Sequence, residues 1–272
     1  MGPISSSSMF FHEYRIPEIF IFAREAGLTG LEFWIETPDF WLNGLPEGEV
    51  NEACKGNPTP LPLTVHAPIL DLNPCSINPK VAEASVEYTV EAIGIAERVG
   101  GSVLTVHPGR RAAKRPVGQA DFKRFRHYID ALRERAARSH VRVSMENMEP
   151  AVNSLLCTPE SVRELLDREP WLGFTLDVAH ASGNGSEEVF RYIDLCGDRL
   201  ANVHMSRANG EKMHFPIAGD GKSARVLGAL EKAGYTGPIT LEIEDRNFSG
   251  ALTAQEKIDI LSGEVASIRN FS

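Results

Sequence analysis

Val143-Ser144-Met145-Glu146-Asn147 is an apolar strand that delivers an ionisable carboxylate and an amide at its end. The same layout recurs as L-T-V-H-A-P over residues 63–68, S-V-L-T-V-H-P-G over 102–109, G-F-T-L-D-V-A-H over 173–180, L-A-N-V-H-M-S over 200–206 and I-T-L-E-I-E over 239–244. Each segment carries a potential metal ligand at its end. Because alternate side chains of a strand face opposite ways, Thr64 and His66, Thr105 and His107, Ser144 and Glu146, Thr175 and Asp177, Asn202 and His204, and Thr240 and Glu242 share one face. Leu63, Val65, Leu104, Val143, Met145, Phe174, Leu176, Val203 and Leu241 occupy the other.

Between these strands lie helical stretches. Residues 16–26 carry an apolar stripe closed by Gly27, Asn78-Pro79 opens a long helix that ends near Gly100, and residues 119–139 are helical with a charged outer face. Pro159 follows Thr158 at the first turn of another helix, and residues 186–196, 224–233 and 254–270 complete the set. Two further strands are expected, one running from Gly2 into the serines at 5–8 and one over residues 30–35; the segment from there to Pro62 reads as a long rim loop. Strand alternating with helix predicts a parallel sheet closed as a (β/α)8 TIM barrel, one domain over residues 1–272, with an open doubly wound sheet as the runner-up. With the apolar face against the helices, the polar face points into the barrel. That gathers His66, His107, His204, Glu146, Asp177 and Glu242 at the C-terminal mouth, where barrel enzymes place their chemistry.

Burying so many ionisable groups together is unfavourable without compensation, and divalent cations supply it. Mixed imidazole and carboxylate ligation suits zinc, manganese, iron or cobalt better than calcium or magnesium, with zinc or manganese the expected ion. Glu146, central in strand order, is the carboxylate expected to bridge two ions. His180 is read as a ligand or substrate contact, His214 as a loop residue with either role, and Glu32 as a group that orients ligands. His12, His127 and His140 are expected at the surface.

Composition narrows the function. A chain of 272 residues with 28 basic and 37 acidic residues, net charge −9, offers no general attraction for nucleic acid or anionic membrane. Cys54, Cys75, Cys157 and Cys196 form no paired motif, no apolar run reaches spanning length, and the N-terminus lacks a signal-peptide pattern. A cytoplasmic protein is expected, with the oligomeric state open.

V-H-A-P at His66, V-H-P-G at His107, E-N at Glu146, L-D-V-A-H at Asp177 and His180, V-H at His204, the H-F-P-I-A-G-D-G loop at His214 and L-E at Glu242 resemble the xylose isomerase-like barrel superfamily. That superfamily includes sugar epimerases and endonuclease IV. The resemblance implies that Glu146, Asp177, His204 and Glu242 hold a shared metal. In the endonuclease IV branch, His66 and His107 match ligands of a second ion bridged by Glu146, and His180 and His214 match ligands of a third. The chain departs from that branch in three places. Lys212, with Glu211 adjacent, stands where the third ion takes an aspartate; the loop from His214 is one residue longer; and Ile69 replaces an aromatic residue that enters DNA.

The resemblance therefore implies a metal-dependent isomerase or epimerase of a sugar or sugar phosphate, carrying one to three ions. Glu146 and Glu242 would move the proton through an enediolate, His180 and Arg207 would bind substrate oxygens, and Arg110 or Lys222 would receive a phosphate. Arg110 belongs to a basic cluster with Arg111, Lys114 and Arg115, Lys222 to the Gly219–Ser223 turn, and Phe40 and Trp41 either cover the substrate or pack a loop. The alternatives are an endonuclease IV-like phosphodiesterase and a catalytically silent metal- or ligand-binding protein.

Overall fold

The computed structural model describes residues 2–56, 60–210 and 212–271, so Glu211 lies outside the described residues. Its strands are β1 (Ile4–Ser6), β2 (Leu31–Trp34), β3 (Leu63–His66), β4 (Gly101–Val106), β5 (Arg142–Glu146), β6 (Gly173–Asp177), β7 (Leu200–Met205), β8 (Arg207–Asn209), β9 (Lys212–Phe215) and β10 (Ile239–Leu241). Eight of them form one sheet in the order β1-β10-β7-β6-β5-β4-β3-β2, every neighbour parallel. A parallel bridge between Ser7 and Glu32 brings its two ends together. The result is a (β/α)8 barrel.

The helices are α1 (Ile16–Glu25), α2 (Pro38–Leu42), α3 (Glu47–Lys55), α4 (Pro79–Arg98), α5 (Gln119–Ala136), α6 (Pro159–Arg168), α7 (Val178–Ser182), α8 (Glu188–Cys196), α9 (Gly221–Lys232) and α10 (Ala254–Arg269). Their starts follow local chemistry. The Thr158 side chain accepts from Ser161 N, Asn78 from Lys80 N and Thr253 from Glu256 N, each satisfying an amide that the first helical turn leaves free. Gly27, at φ 75°, supplies the left-handed exit from α1.

The expected rim loop between β2 and β3 is instead largely helical, because Pro38 and Asp39 start α2 and the Glu47–Lys55 run, poor in apolar residues, forms α3 around one buried side chain, Val50. The loop expected around His214 is a two-stranded antiparallel hairpin, β8 with β9. Short strands of mixed polarity leave little periodicity to read.

The expected alternation positions the site. Val65, Leu104, Val143, Phe174, Leu176 and Val203 are buried beneath the helices. On the inward face the polar residues satisfy one another: Thr175 Oγ1 donates to Ser144 Oγ at 2.7 Å and lies 3.1 Å from Thr105 Oγ1. Asn202 Nδ2 donates to Glu32 at 2.7 Å, and its Oδ1 accepts from Thr240 Oγ1 at 3.1 Å. A barrel interior can be polar when its hydrogen bonds close on themselves. This layer is the floor on which the ionisable residues stand.

Candidate metal centre

His66, Glu146 and Asp177 are the last residues of β3, β5 and β6; His204 lies on β7, and His107 and Glu242 follow β4 and β10 directly. Asp177 also caps α7, its carboxylate accepting from His180 N at 2.6 Å, which turns His180 back over the mouth. His214 arrives from the hairpin, buried and at φ 64°. Glu244 N donates to its carbonyl at 3.0 Å, and Asn247 Nδ2 donates to the Met213 carbonyl at 2.6 Å.

These side chains form three overlapping donor sets, each with ligand atoms within 4.8 Å of one another: His66, His107 and Glu146; Glu146, Asp177, His204 and Glu242; and Asp177, His180 and His214. His107 Nε2 lies 3.1 Å and His66 Nε2 3.6 Å from Glu146 Oε2. His204 Nδ1 lies 3.0 Å from Glu242 Oε2 and 3.5 Å from Glu146 Oε2. Contacts on the far side of the rings select the tautomers. His66 Nδ1 faces the Ala67 carbonyl at 2.8 Å and His204 Nε2 faces Glu32 at 3.0 Å, so those nitrogens keep their protons and the others are the ones left to offer lone pairs to a cation.

Buried polar atoms normally find partners. Here His66 Nε2, Glu146 Oε2, Asp177 Oδ2, His204 Nδ1 and Glu242 Oε2 are buried without a hydrogen-bond partner, and all of them belong to the three donor sets. The donors are those that zinc or manganese takes. Both the residue types and their unpartnered atoms fit a divalent cation.

The charges give the same result. Burial raises the Asp177 carboxyl to about 7, with the Glu242 and Glu146 carboxylates adding to the rise against the imidazoles of His180 and His214. Burial works against the charged form of His180, yet Asp177 and Glu146 lift it to about 10, and Glu32, Glu242 and Glu146 raise His204 well above its ordinary range despite equal burial. His66 is raised, its burial being outweighed by Glu146 and Glu32. Burial also opposes ionisation of Glu146 and Glu242, but His107 and His204 hold Glu146, and His204 and His214 hold Glu242, well below the carboxylate range. The cluster takes up protons as its positive charge when no metal supplies one.

A cavity of about 380 Å³ opens onto His107, His180, His214 and Glu242 and is walled by Trp34 and Ile69. Trp34 stacks flat on His66, ring centroids 3.8 Å apart and 13° from parallel. A second cavity of about 520 Å³ shares His180, His214 and Glu149 and adds Lys212 and Arg246. Arg110 lines the first cavity. Arg207 lines neither; it is exposed and donates to the Pro216 carbonyl at 2.7 Å. Lys222 donates to Ser182 Oγ at 2.8 Å, also away from both, and the Gly219–Ser223 turn has its helix start occupied by the Asp220 carboxylate. Phe40 is fully buried against Phe33, whereas Trp41 is 39% exposed beside Tyr88. His127 and His140 are exposed and His12 is half-buried. A larger cavity, about 910 Å³, lies between α5 and α6 and touches none of the clustered residues.

Trp34, Glu149 and Arg246 also line these cavities, although no motif surrounds them in the sequence. The chain order E-N-M-E, which places Glu149 within a turn of Glu146, is the one signal available.

Residues 20–263 match the family model described as xylose isomerase-like TIM barrel. The uncharacterized protein MJ1188 of Methanocaldococcus jannaschii is 31% identical over 262 residues, 95% of each chain. Among solved structures, a D-tagatose 3-epimerase-like protein superimposes with a TM-score of 0.77 at 24% identity, covering 98% of both chains. Endonuclease IV of Thermus thermophilus superimposes with a TM-score of 0.74 at 19% identity, covering 98% of this chain and 99% of its own. No helix among the described residues is long and apolar enough to cross a membrane.

Proposed function

Since the chain belongs to the xylose isomerase-like TIM barrel family, we propose that it is a metal-dependent isomerase or epimerase of a sugar or sugar phosphate. The observation that carries this reading is the pair Glu146 and Glu242, at the ends of different strands, whose carboxylates approach the same His204 Nδ1 at 3.5 and 3.0 Å. A divalent cation, zinc or manganese, held by Glu146, Asp177, His204 and Glu242 would supply a Lewis acid that acidifies a C–H beside a substrate carbonyl.

The chain's own groups do the rest. Both glutamates rest ionised; one accepts the proton from carbon, and the other, after taking up a proton from solvent, returns it from its own side, giving inversion at that carbon through an enediolate. His180 donates its Nδ1 proton to the Asn147 carbonyl at 3.0 Å, which leaves Nε2 turned to the cavity for a substrate oxygen. Trp34 and Ile69 keep bulk water from one wall. A cavity of about 380 Å³ suits a small molecule.

A second reading rests on a separate observation: His66, His107 and Glu146 form a further donor set that shares Glu146 with the first. A paired-ion centre of that kind suits phosphodiester hydrolysis.

Elemental analysis of the purified protein and of Glu146→Gln, with deuterium exchange at sugar carbons, tests both. One ion per chain with Glu146-dependent exchange supports the isomerase. Two or three ions, no exchange and cleavage of abasic DNA would move the function to hydrolysis. No metal after reconstitution would remove both.

A further inference from the structure

Asp177, His180 and His214 form the outermost donor set of the cluster. Its open side is not acidic. Lys212, two residues before His214 on β9, and Arg246, from the turn after β10, line the same cavity of about 520 Å³ as His180 and His214. Among the described lining residues Glu149 is the one carboxylate. Arg246 pairs with Glu244, which lines the adjoining cavity over the cluster, and Lys212 makes no ion pair among the described residues. The Lys212 ammonium, without such a partner, leaves a positive charge at this position that repels a further dication and attracts an anion, with the Arg246 guanidinium beside it as a hydrogen-bond donor.

The cavity is also continuous in composition with the one over the metal cluster, since His180, His214 and Glu149 line both. A small molecule with its reacting carbons at Glu146 and Glu242 would therefore extend past His180 toward Lys212. Resting on the isomerase or epimerase reading above, we propose that Lys212 and Arg246 form an anion subsite beside the cluster that holds a terminal phosphate or carboxylate of the substrate. Lys212 then occupies the side from which a third ion would be completed, and the charge it presents is used on the substrate instead. Both cations are long and solvent-facing, so the subsite weakens with added salt.

The test is calorimetric binding of D-ribulose 5-phosphate, D-ribulose and D-ribonate to manganese-loaded protein, wild type and Lys212→Gln/Arg246→Gln. One of the anions is expected to bind the wild type at least about tenfold more tightly than ribulose. The double variant loses that preference and keeps its affinity for ribulose. A preference for the phosphate or for ribonate identifies the handle. Equal binding of all three probes to the wild type, or a preference that survives in the double variant, overturns the subsite.

Lys212→Asp provides a readout without substrate: elemental analysis is expected to find one additional ion per chain, and unchanged stoichiometry counts against Lys212 as the group that keeps a cation out. These outcomes separate from those of the parent reading. Lys212-dependent anion binding without exchange at carbon removes only the isomerase, and exchange on the neutral sugar without anion preference removes only the subsite.

Discussion

Glu32, on β2, meets His204, on β7, at 3.0 Å from Oε2 to Nε2, with both side chains wholly buried. Asn202 Nδ2 donates to the same carboxylate oxygen at 2.7 Å. The contact places the imidazole proton on Nε2 and leaves Nδ1 for a metal. Glu32→Gln keeps the shape but replaces a fixed charge. Metal affinity is expected to fall about 10- to 100-fold, as for other groups behind a ligand, and competition with a chromophoric chelator measures it. An unchanged dissociation constant would mean that Glu32 only fills the barrel.

The metal-free protein should lose stability as pH rises. His180 is raised to about 10 by Asp177 and Glu146, working against its burial, from an ordinary value of 6.5. A group raised on folding stabilises fully below its unfolded pKa and ceases to do so as pH passes its folded pKa. The Tm of chelator-treated protein is therefore expected to fall from about pH 7 toward pH 10, and a divalent cation, whose charge takes over beside Asp177 and Glu146 the part played by the His180 proton, to restore more at the alkaline end. A flat profile with chelator contradicts this.

Lys257 is fully buried on α10, with Nζ 2.6 Å from Glu13 and 3.3 Å from Asp245. It fills the position that would make His12, Glu13 and Asp245 a cation site, so no metal is expected there. Lys257→Met leaves the two carboxylates facing each other without their cation. Because both are partly exposed, a loss of about 2 kcal/mol in urea unfolding is expected, below that for a wholly buried pair. A midpoint equal to wild type would show that solvent compensates them.

Phe40 tests the difference between covering a substrate and filling a core. It is the buried residue of α2, its ring centroid 5.1 Å from that of Phe33. Phe40→Ala is expected to cost about 3–5 kcal/mol of stability and to leave the affinity of the folded protein for its metal and sugar ligands unchanged. Weakened sugar binding with stability intact would put the ring at the substrate.

The barrel is legible in the sequence because each strand shows its inward face plainly: the step from Thr175 to Asp177 or from Ser144 to Glu146 is the two-residue period of a pleated strand. His66, His107, Glu146, Asp177, His204 and Glu242 can therefore be assigned to one mouth from spacing alone. Arg207 and Lys222 cannot be placed in the same way. Long side chains close to a ligand in sequence take whichever local acceptor is nearest, and here those are the Pro216 carbonyl and Ser182 Oγ.

Periodicity and residue type alone determined the barrel strands, their polar faces and the set of candidate metal-binding side chains, since these depend on local backbone geometry. What only the tertiary structure decided was partnership across the barrel. Trp34 lies on His66, Glu32 reaches His204 and Lys212 shares a cavity with Arg246 because sheet closure brings together residues that no local spacing relates. Hydrogen bonds and charges act over a few ångströms in space, so the contacts that tune the mouth follow from closure of the sheet.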